Sequence, residues 1–254
     1  MLRIQHHLGR IACPAALALA CSTASSHAAT LTPEADAFIR GGSNANNTQN
    51  GTAAQNLLIL PGNDLSFARK TYIRFDLSTI TAAVTDAELS IDFSFSNTAT
   101  GGLPINIYGI NDGVTGEDTW SEATLTWNNA PSNLTSGSTS AVASGVIASE
   151  TTLLGSYTPT GAEISGAQNP NTVNFTLDSA ALLDLVQNDT NDAITLIITG
   201  NSGSNGPVRP FIASRENVGG GGVSLNLTVI PEPASLVLLS AGGMLMLTRR
   251  RRQA

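Results

Sequence analysis

The sequence has few of the side chains on which most hydrolases and metalloenzymes depend. Its two cysteines, Cys13 and Cys21, and its three histidines, His6, His7 and His27, all lie within the first 27 residues. If these first residues are removed as an export leader, the rest of the chain has neither a thiol nor an imidazole group. This excludes a Ser-His-Asp or Cys-His catalytic set, a disulfide, and a zinc site built from nitrogen and sulfur ligands.

Charged residues are also scarce, at 12% of the chain, and lysine occurs only once. Six of the twelve basic residues lie in the end segments, so the body between them carries six basic residues against eighteen carboxylates, a formal charge of −12. A body this acidic repels phosphate backbones, so nucleic acid is a poor candidate partner. Its length of about 200 residues suits a single domain with a sizeable core.

The N-terminus has the three-part layout of a secretory signal peptide. Met1 to Arg10 carries two arginines, Ile11 to Ala20 is apolar, and the small residues at 26–28 offer a cleavage site. We therefore expect residues 1–29 to be removed on export. Two alternatives stay open, namely a lipoprotein cut at Cys21 and a buried N-terminal helix.

The C-terminus looks like a second processing signal. Ala234 to Thr248 is uncharged and mostly apolar, but a helix of this length spans only about 22 Å, less than the ~30 Å hydrocarbon core. Arginines that follow such a helix stay in the cytoplasm and leave the body outside. The flanking residues are Pro231, Glu232 and Pro233 on one side and Arg249, Arg250, Arg251 and Arg252 on the other.

Together these features resemble the PEP-CTERM sorting tail, over residues 230–254. The resemblance implies a Gram-negative host, a transient inner-membrane anchor and removal of the tail by an exosortase-type peptidase. It also implies display at the cell surface or release into an exopolysaccharide matrix. An ordinary terminal membrane anchor is the alternative.

Between the signals, period-two alternation of polar and apolar residues predicts strands with one face in a core. A nearly continuous apolar run at 194–199 predicts a central strand, and Asp178 or Ser179 can cap one short helix. We expect a long loop or weak edge strands at 132–152. The predicted fold is all-β, a single jelly-roll-like antiparallel β-sandwich. The other predicted strands are 71–77, 88–95, 105–110, 173–177 and 223–229.

The sharpest motif is Trp120-Ser121-Glu122-Ala123-Thr124-Leu125-Thr126-Trp127-Asn128-Asn129-Ala130-Pro131, which holds both tryptophans of the chain. Exposed indole faces can stack on the apolar C–H surfaces of sugar rings. Alternatively, the two indoles cover one side of the sandwich, with each N–H bonded inside the protein.

This motif resembles the signature of DNRLRE-type domains, grouped as carbohydrate-binding module family 96. Three other segments fit in order: 35–40 as an opening strand, 74–78 as an R/K-F-D-L-S strand, and 211–216 as a closing S-R-E segment. The resemblance covers about residues 34–229. It implies a jelly-roll sandwich that binds acidic polysaccharides such as alginate. The family's signature residues with an expected structural role are Asp76, Trp120, Glu122, Trp127, Asn128, Pro131 and Glu216.

Six side chains are the candidates for glycan contact: Arg40, Arg69, Lys70, Tyr72, Arg74 and Arg215. Each arginine can pair with a uronate carboxylate or with a native acid such as Asp76 or Glu216. A protein that binds acidic glycans is expected to be rich in basic residues, but lysine occurs only once. The ligand can therefore be a neutral glycan as well as an acidic one.

Oxygen-rich turns offer ligands for a structural calcium ion, although none matches an EF-hand loop. They are Asn111-Asp112, Glu117-Asp118 and Asn188 to Asp192. Asn and Asp are also ordinary turn formers, so both interpretations stand. The sequence therefore predicts a non-catalytic polysaccharide-binding protein. The alternatives are a purely structural matrix or adhesion protein and a histidine-free glycosidase or lyase.

Overall fold

The computed structural model describes residues 25–49, 56–60, 65–95, 104–164, 171–200, 210–217 and 222–230. The strands of this part are β1 (His27–Leu31), β2 (Ala35–Arg40), β3 (Asn56–Leu58), β4 (Arg69–Asp76), β5 (Ala83–Phe95), β6 (Ile105–Ile110), β7 (Thr151–Tyr157), β8 (Asn171–Asp178), β9 (Ala193–Gly200), β10 (Pro210–Ala213) and β11 (Val223–Ile230). The helices are α1 (Thr139–Ser144), α2 (Gly161–Ile164) and α3 (Ala180–Gln187), and 3-10 turns occupy Gly42–Asn44 and Leu65–Phe67.

The strands form two antiparallel sheets. In the first sheet, β11 and β10 pair one after the other along one side of β5, and β8 pairs along its other side. Strand β1 pairs with β11, and β3 pairs with β10. The second has the order β2-β4-β9-β6-β7. The all-β sandwich and each strand predicted from alternation are thus confirmed, and the predicted opening strand coincides with β2.

The main core lies between the sheets. Phe75 of β4 and Leu196 of β9 point toward Ile91 and Phe93 of β5, and all four side chains are fully buried. This follows from the pleat, because successive residues of a strand face opposite sides and only every second one meets the other sheet.

The outer face of the second sheet is also covered. Tyr72 and Ile197 point away from the main core into a second cluster, where Trp120, Leu125 and Trp127 pack over them. A strand with protein on both faces needs apolar residues at consecutive positions. This is why β9 is buried along all eight residues, as its apolar run predicts.

The predicted helix is confirmed, while part of the predicted loop is ordered differently. Ser179 caps α3, its Oγ accepting a hydrogen bond of 3.1 Å from the backbone N–H of Leu182. Within 132–152, however, Ser138 caps α1 and β7 begins at Thr151. Val142 and Ala143 of α1 are buried in the second cluster, so this small-residue segment packs as part of the core.

Strand β1 begins before the end of the predicted signal peptide. It pairs with β11 from His27 opposite Val229 to Leu31 opposite Leu225. Within the described ranges, no helix combines the length and apolar character needed to cross a bilayer. Ile230, the first residue of the predicted sorting tail, belongs to β11, and residues 231–254, with the apolar segment 234–248, lie outside those ranges.

Candidate functional site

Lys70, expected at a glycan surface, is instead completely buried. Its Nζ donates a 2.6 Å hydrogen bond to Asn133 Oδ1 and another to the carbonyl of Gly145, and it lies 4.5 Å from the Trp127 ring centroid. The alternation of β4 explains this position, because the even-numbered side chains face the second cluster. Burial lowers the pKa of Lys70 to about 7, since desolvation disfavours the ammonium.

Tyr72 is the second expected contact that the fold encloses. Its hydroxyl donates a 3.0 Å hydrogen bond to the carbonyl of Pro131, and its ring meets Trp120 edge-on at 6.1 Å between centroids. Trp120 in turn donates from Nε1 to Thr195 Oγ1 at 3.0 Å. Trp120 and Trp127 keep only 7% and 3% of their surface exposed. The indoles therefore cover the second sheet rather than a sugar.

Arg74 is bound to groups of the protein itself. Its Nη1 donates to the carbonyl of Trp120 at 2.6 Å, and its Nε donates to Glu34 Oε2 at 3.0 Å. The guanidinium carbon lies 5.3 Å from the Trp120 ring centroid, within the range of a cation–π contact. Only 12% of the side chain is exposed, so Arg74 fixes the signature segment against β4.

Arg215 lies among carboxylates at the edge of the sandwich. Its backbone N–H donates to Asp36 Oδ2 at 2.8 Å, and its Nε lies 3.1 Å from Glu122 Oε1 and 2.7 Å from Glu216 Oε1. Glu122 Oε1 also accepts the backbone N–H of Asp36 at 2.8 Å. Burial raises the pKa of Asp36 to about 7, helped by the negative charges of both glutamates.

Two further signature residues have local roles. Asn128 donates from Nδ2 to Asn46 Oδ1 at 2.6 Å, which joins the signature to the turn after β2. Asp76 is exposed and accepts the backbone N–H of Ser78 at 2.8 Å. A hydrogen bond from the Ser78 side chain, together with this backbone one, lowers the pKa of Asp76. The hydrogen bonds of both residues therefore stabilise turns of the backbone.

Arg40 and Arg69 are the two candidates that the structure brings side by side near solvent. They lie directly opposite each other in the pairing of β2 with β4. Arg40 Nε donates to the carbonyl of Ser66 at 3.1 Å, and Arg69 Nη1 donates to the carbonyl of Phe67 at 2.7 Å. Two guanidinium groups are thus held against consecutive carbonyls of one 3-10 turn.

Two phenylalanine side chains lie near Arg69. Phe67 exposes 51% of its surface, which is unusual for so large an apolar side chain. Arg69 also lines an open cleft of about 360 Å³ with Phe211, together with Asn56, Leu58, Ile59, Leu60 and Pro210. We call Arg40, Phe67, Arg69 and Phe211 the arginine surface. Sequence reasoning missed its two phenylalanines because Phe67 lies in a short turn and Phe211 in a strand of four residues, and neither segment is long enough to show a period.

The three oxygen-rich turns converge, as a shared cation site would require. Thr190 Oγ1 donates to Asp112 Oδ2 at 2.7 Å, and Asn191 Nδ2 donates to the buried Glu117. Burial raises the pKa of Asp189 to about 6, and the nearby charge of Asp112 adds to the shift. Two of these oxygens, Asp112 Oδ2 and Glu117 Oε1, accept hydrogen bonds from a neighbouring turn. The calcium expectation for this group therefore stays a prediction.

The comparison with known families gives a match in the N-terminal half of the described chain, from the start of β1 to just after α1. Residues 27–147 match carbohydrate-binding module family 96. This match supports a carbohydrate-binding module domain in that part of the chain. The family 96 match includes Arg40, Phe67 and Arg69, but it ends before β7 and before the closing segment with Arg215 and Glu216.

No curated protein matches the chain. Among solved structures, it is similar to the VP2 subviral particle of infectious bursal disease virus, at 10% identity and a TM-score of 0.26, covering 89% of this chain and 42% of that one. It is also similar to the Gx strain of the same virus, at 12% identity and a TM-score of 0.14, covering 100% and 58%. The chain thus spans less than two thirds of either viral chain, and similarities this weak support no conclusion.

Proposed function

We propose that this chain is a non-catalytic polysaccharide-binding protein and that the arginine surface contacts an acidic glycan. The observation that carries the proposal is the pair Arg40 and Arg69, held side by side on one turn within the family 96 match. Guanidinium groups suit carboxylates because their N–H donors match both oxygens of the anion. The exposed Phe67 and the partly buried Phe211 add apolar area for sugar C–H groups.

The charge distribution favours this surface over the other candidates. Arg74 and Arg215 each contact native carboxylates, and Lys70 and Tyr72 are enclosed. Arg40 forms no ion pair within the described residues. The net charge of the body repels a polyanion at long range, but salt near 0.15 M screens such repulsion beyond about 8 Å. Binding should therefore depend on this local pair.

The test compares, in the full chain, the removal of the two arginines of this surface with the removal of one arginine that lies outside it. Arg40→Gln with Arg69→Gln should reduce retardation in alginate gels at 0.15 M salt by at least tenfold in apparent affinity. Arg215→Gln is the control, because its guanidinium already contacts Glu122 and Glu216. Run in EDTA, it should keep the affinity of the unchanged chain.

Two results would reject this surface: full binding by the Arg40/Arg69 double variant, or equal losses in it and the control. Phe67→Ser separates stacking from charge and should weaken binding to neutral and acidic glycans alike. A chain that binds none of the glycans would instead favour the structural matrix or adhesion role. That role is consistent with the internal ion pairs of Arg74 and Arg215.

We further propose that the sandwich is of the jelly-roll kind and works outside the inner membrane. The supporting features are the signal-peptide pattern of residues 1–29 and the sorting-tail pattern of residues 230–254. Cleavage after Ala28 or Ala29 would leave Thr30 and Leu31 of β1 paired with β11. Mass spectrometry of the protein from its native host tests this, because an intact 254-residue chain in the cytosol contradicts it.

A further inference from the structure

Three acidic residues from distant parts of the chain meet at one edge of the sandwich. Asp36 comes from β2, Glu122 from the signature segment and Glu216 from the turn after β10. One carboxylate oxygen of each lies within 4.8 Å of one oxygen of each of the others. Two oxygens bound to the same calcium ion lie at most about 5 Å apart, twice the usual Ca–O distance. The spacing of this carboxylate cluster therefore allows one shared ion.

A second observation points to a ligand at the same place. Asp36 is 4% exposed and Ser214 is 3% exposed. Asp36 Oδ1 and Ser214 Oγ are buried without a hydrogen-bond partner among the described residues. Both residues line an open cleft of about 260 Å³, beside Arg215. Buried oxygens that accept no hydrogen bond lose the solvation they have in water, so a bound cation or its water would relieve a desolvation penalty.

The cluster carries a net negative charge, which a divalent cation would neutralise. Three carboxylates and the Arg215 guanidinium carry a formal charge of −2. Arg215 Nε contacts Oε1 of both glutamates. Their Oε2 atoms accept no hydrogen bond within the described ranges, so they are available as ligands. Calcium accepts six to eight hard oxygens in irregular geometry, whereas magnesium demands a near-ideal octahedron.

We propose that Asp36, Glu122 and Glu216 bind one Ca²⁺ ion at this edge of the sandwich, with Ser214 and water completing its oxygen shell. Such an ion joins β2 of the second sheet to the segment after β10 of the first sheet and to the signature. It would therefore stabilise the edge where the two sheets meet. The site is distinct from the arginine surface and from the acidic turns around Asp189.

Isothermal titration of the full, EDTA-treated chain with CaCl₂ tests the proposal. The unchanged chain should bind one equivalent of Ca²⁺. Glu216→Gln and Asp36→Asn should each weaken that binding at least tenfold, because each removes one anionic ligand without changing side-chain size. Arg215→Gln should strengthen it several-fold, because it removes the positive charge that repels the ion.

The matched control is Asp189→Asn, which neutralises an acid of the converging turns and should leave Ca²⁺ binding unchanged. Far-UV circular dichroism shows whether each variant is folded. Glu216 is half exposed, so its variant tests the site even if the buried Asp36→Asn variant fails to fold. The proposal is overturned if the chain binds no Ca²⁺. It is equally overturned if folded Glu216→Gln binds normally, or if Asp189→Asn is the variant that loses binding.

Discussion

The ammonium group of Lys70 lies 4.5 Å from the ring centroid of Trp127, inside the second hydrophobic cluster. The chain's single lysine and one of its two tryptophans thus contact each other rather than a ligand. The carbonyl of Trp127 also accepts a 2.6 Å hydrogen bond from Asn133 Nδ2, while Asn133 Oδ1 accepts from Lys70. This contact ties the signature segment to β4 and removes both residues from any glycan surface.

Lys70 should make stability depend on pH above neutrality. The folded protein releases the Lys70 proton near pH 7, whereas the unfolded chain holds it up to about pH 10.5. Between these values the unfolded state binds more protons, so the free energy of unfolding rises with pH, by up to about 1.4 kcal/mol per pH unit. Urea unfolding of the full chain from pH 7 to 9.5 measures this slope.

Lys70→Met should remove most of that slope. Tyr72→Phe is the matched control, since it changes a neighbouring buried residue of β4 and keeps the lysine. Equal slopes in the unchanged chain and in Lys70→Met would show that Lys70 keeps its proton in the folded protein.

The tryptophans should not report glycan binding. Trp120 and Trp127 are buried, so their emission should lie at short wavelength and resist quenching by acrylamide. Saturating alginate should shift the emission maximum by no more than the scatter between replicate spectra. A clear blue shift, or protection from quenching on addition of glycan, would place an indole in the binding surface.

Arg74 should matter far more to stability than its partner Glu34. Arg74→Met leaves the carbonyl of Trp120 without its donor and removes a mostly buried charge-assisted contact, which should cost about 2 kcal/mol. Glu34 is half exposed, so Glu34→Gln should cost less than about 1 kcal/mol. Urea unfolding of both variants checks the order, and equal losses would mean that the ion pair carries the effect.

The strands could be predicted from sequence because their alternation is a local property. Residues 88–95 alternate strictly, and β5 follows that pattern to Phe95. The apolar run at 194–199 likewise predicts a strand with protein on both faces, as β9 has. The cap of α3 was visible in Ser179, whose side chain bonds to the backbone three residues later.

The site could not be predicted in the same way, because it depends on which face of β4 each residue occupies and on what covers that face. Lys70 and Tyr72 point to the outer face of the second sheet, and the signature segment covers that face. No local pattern indicates such a cover. The meeting of Asp36, Glu122 and Glu216 depends on contacts across more than 80 residues, which spacing cannot show.

Affinity electrophoresis of the full chain tests the central claim most directly. Gels containing alginate, a neutral glucan or no polysaccharide are run at 0.15 M salt in EDTA, beside an acidic reference protein. Polysaccharide binding through the arginine surface predicts retardation in the alginate gel relative to the polymer-free gel. Equal relative mobility in all three gels would contradict it.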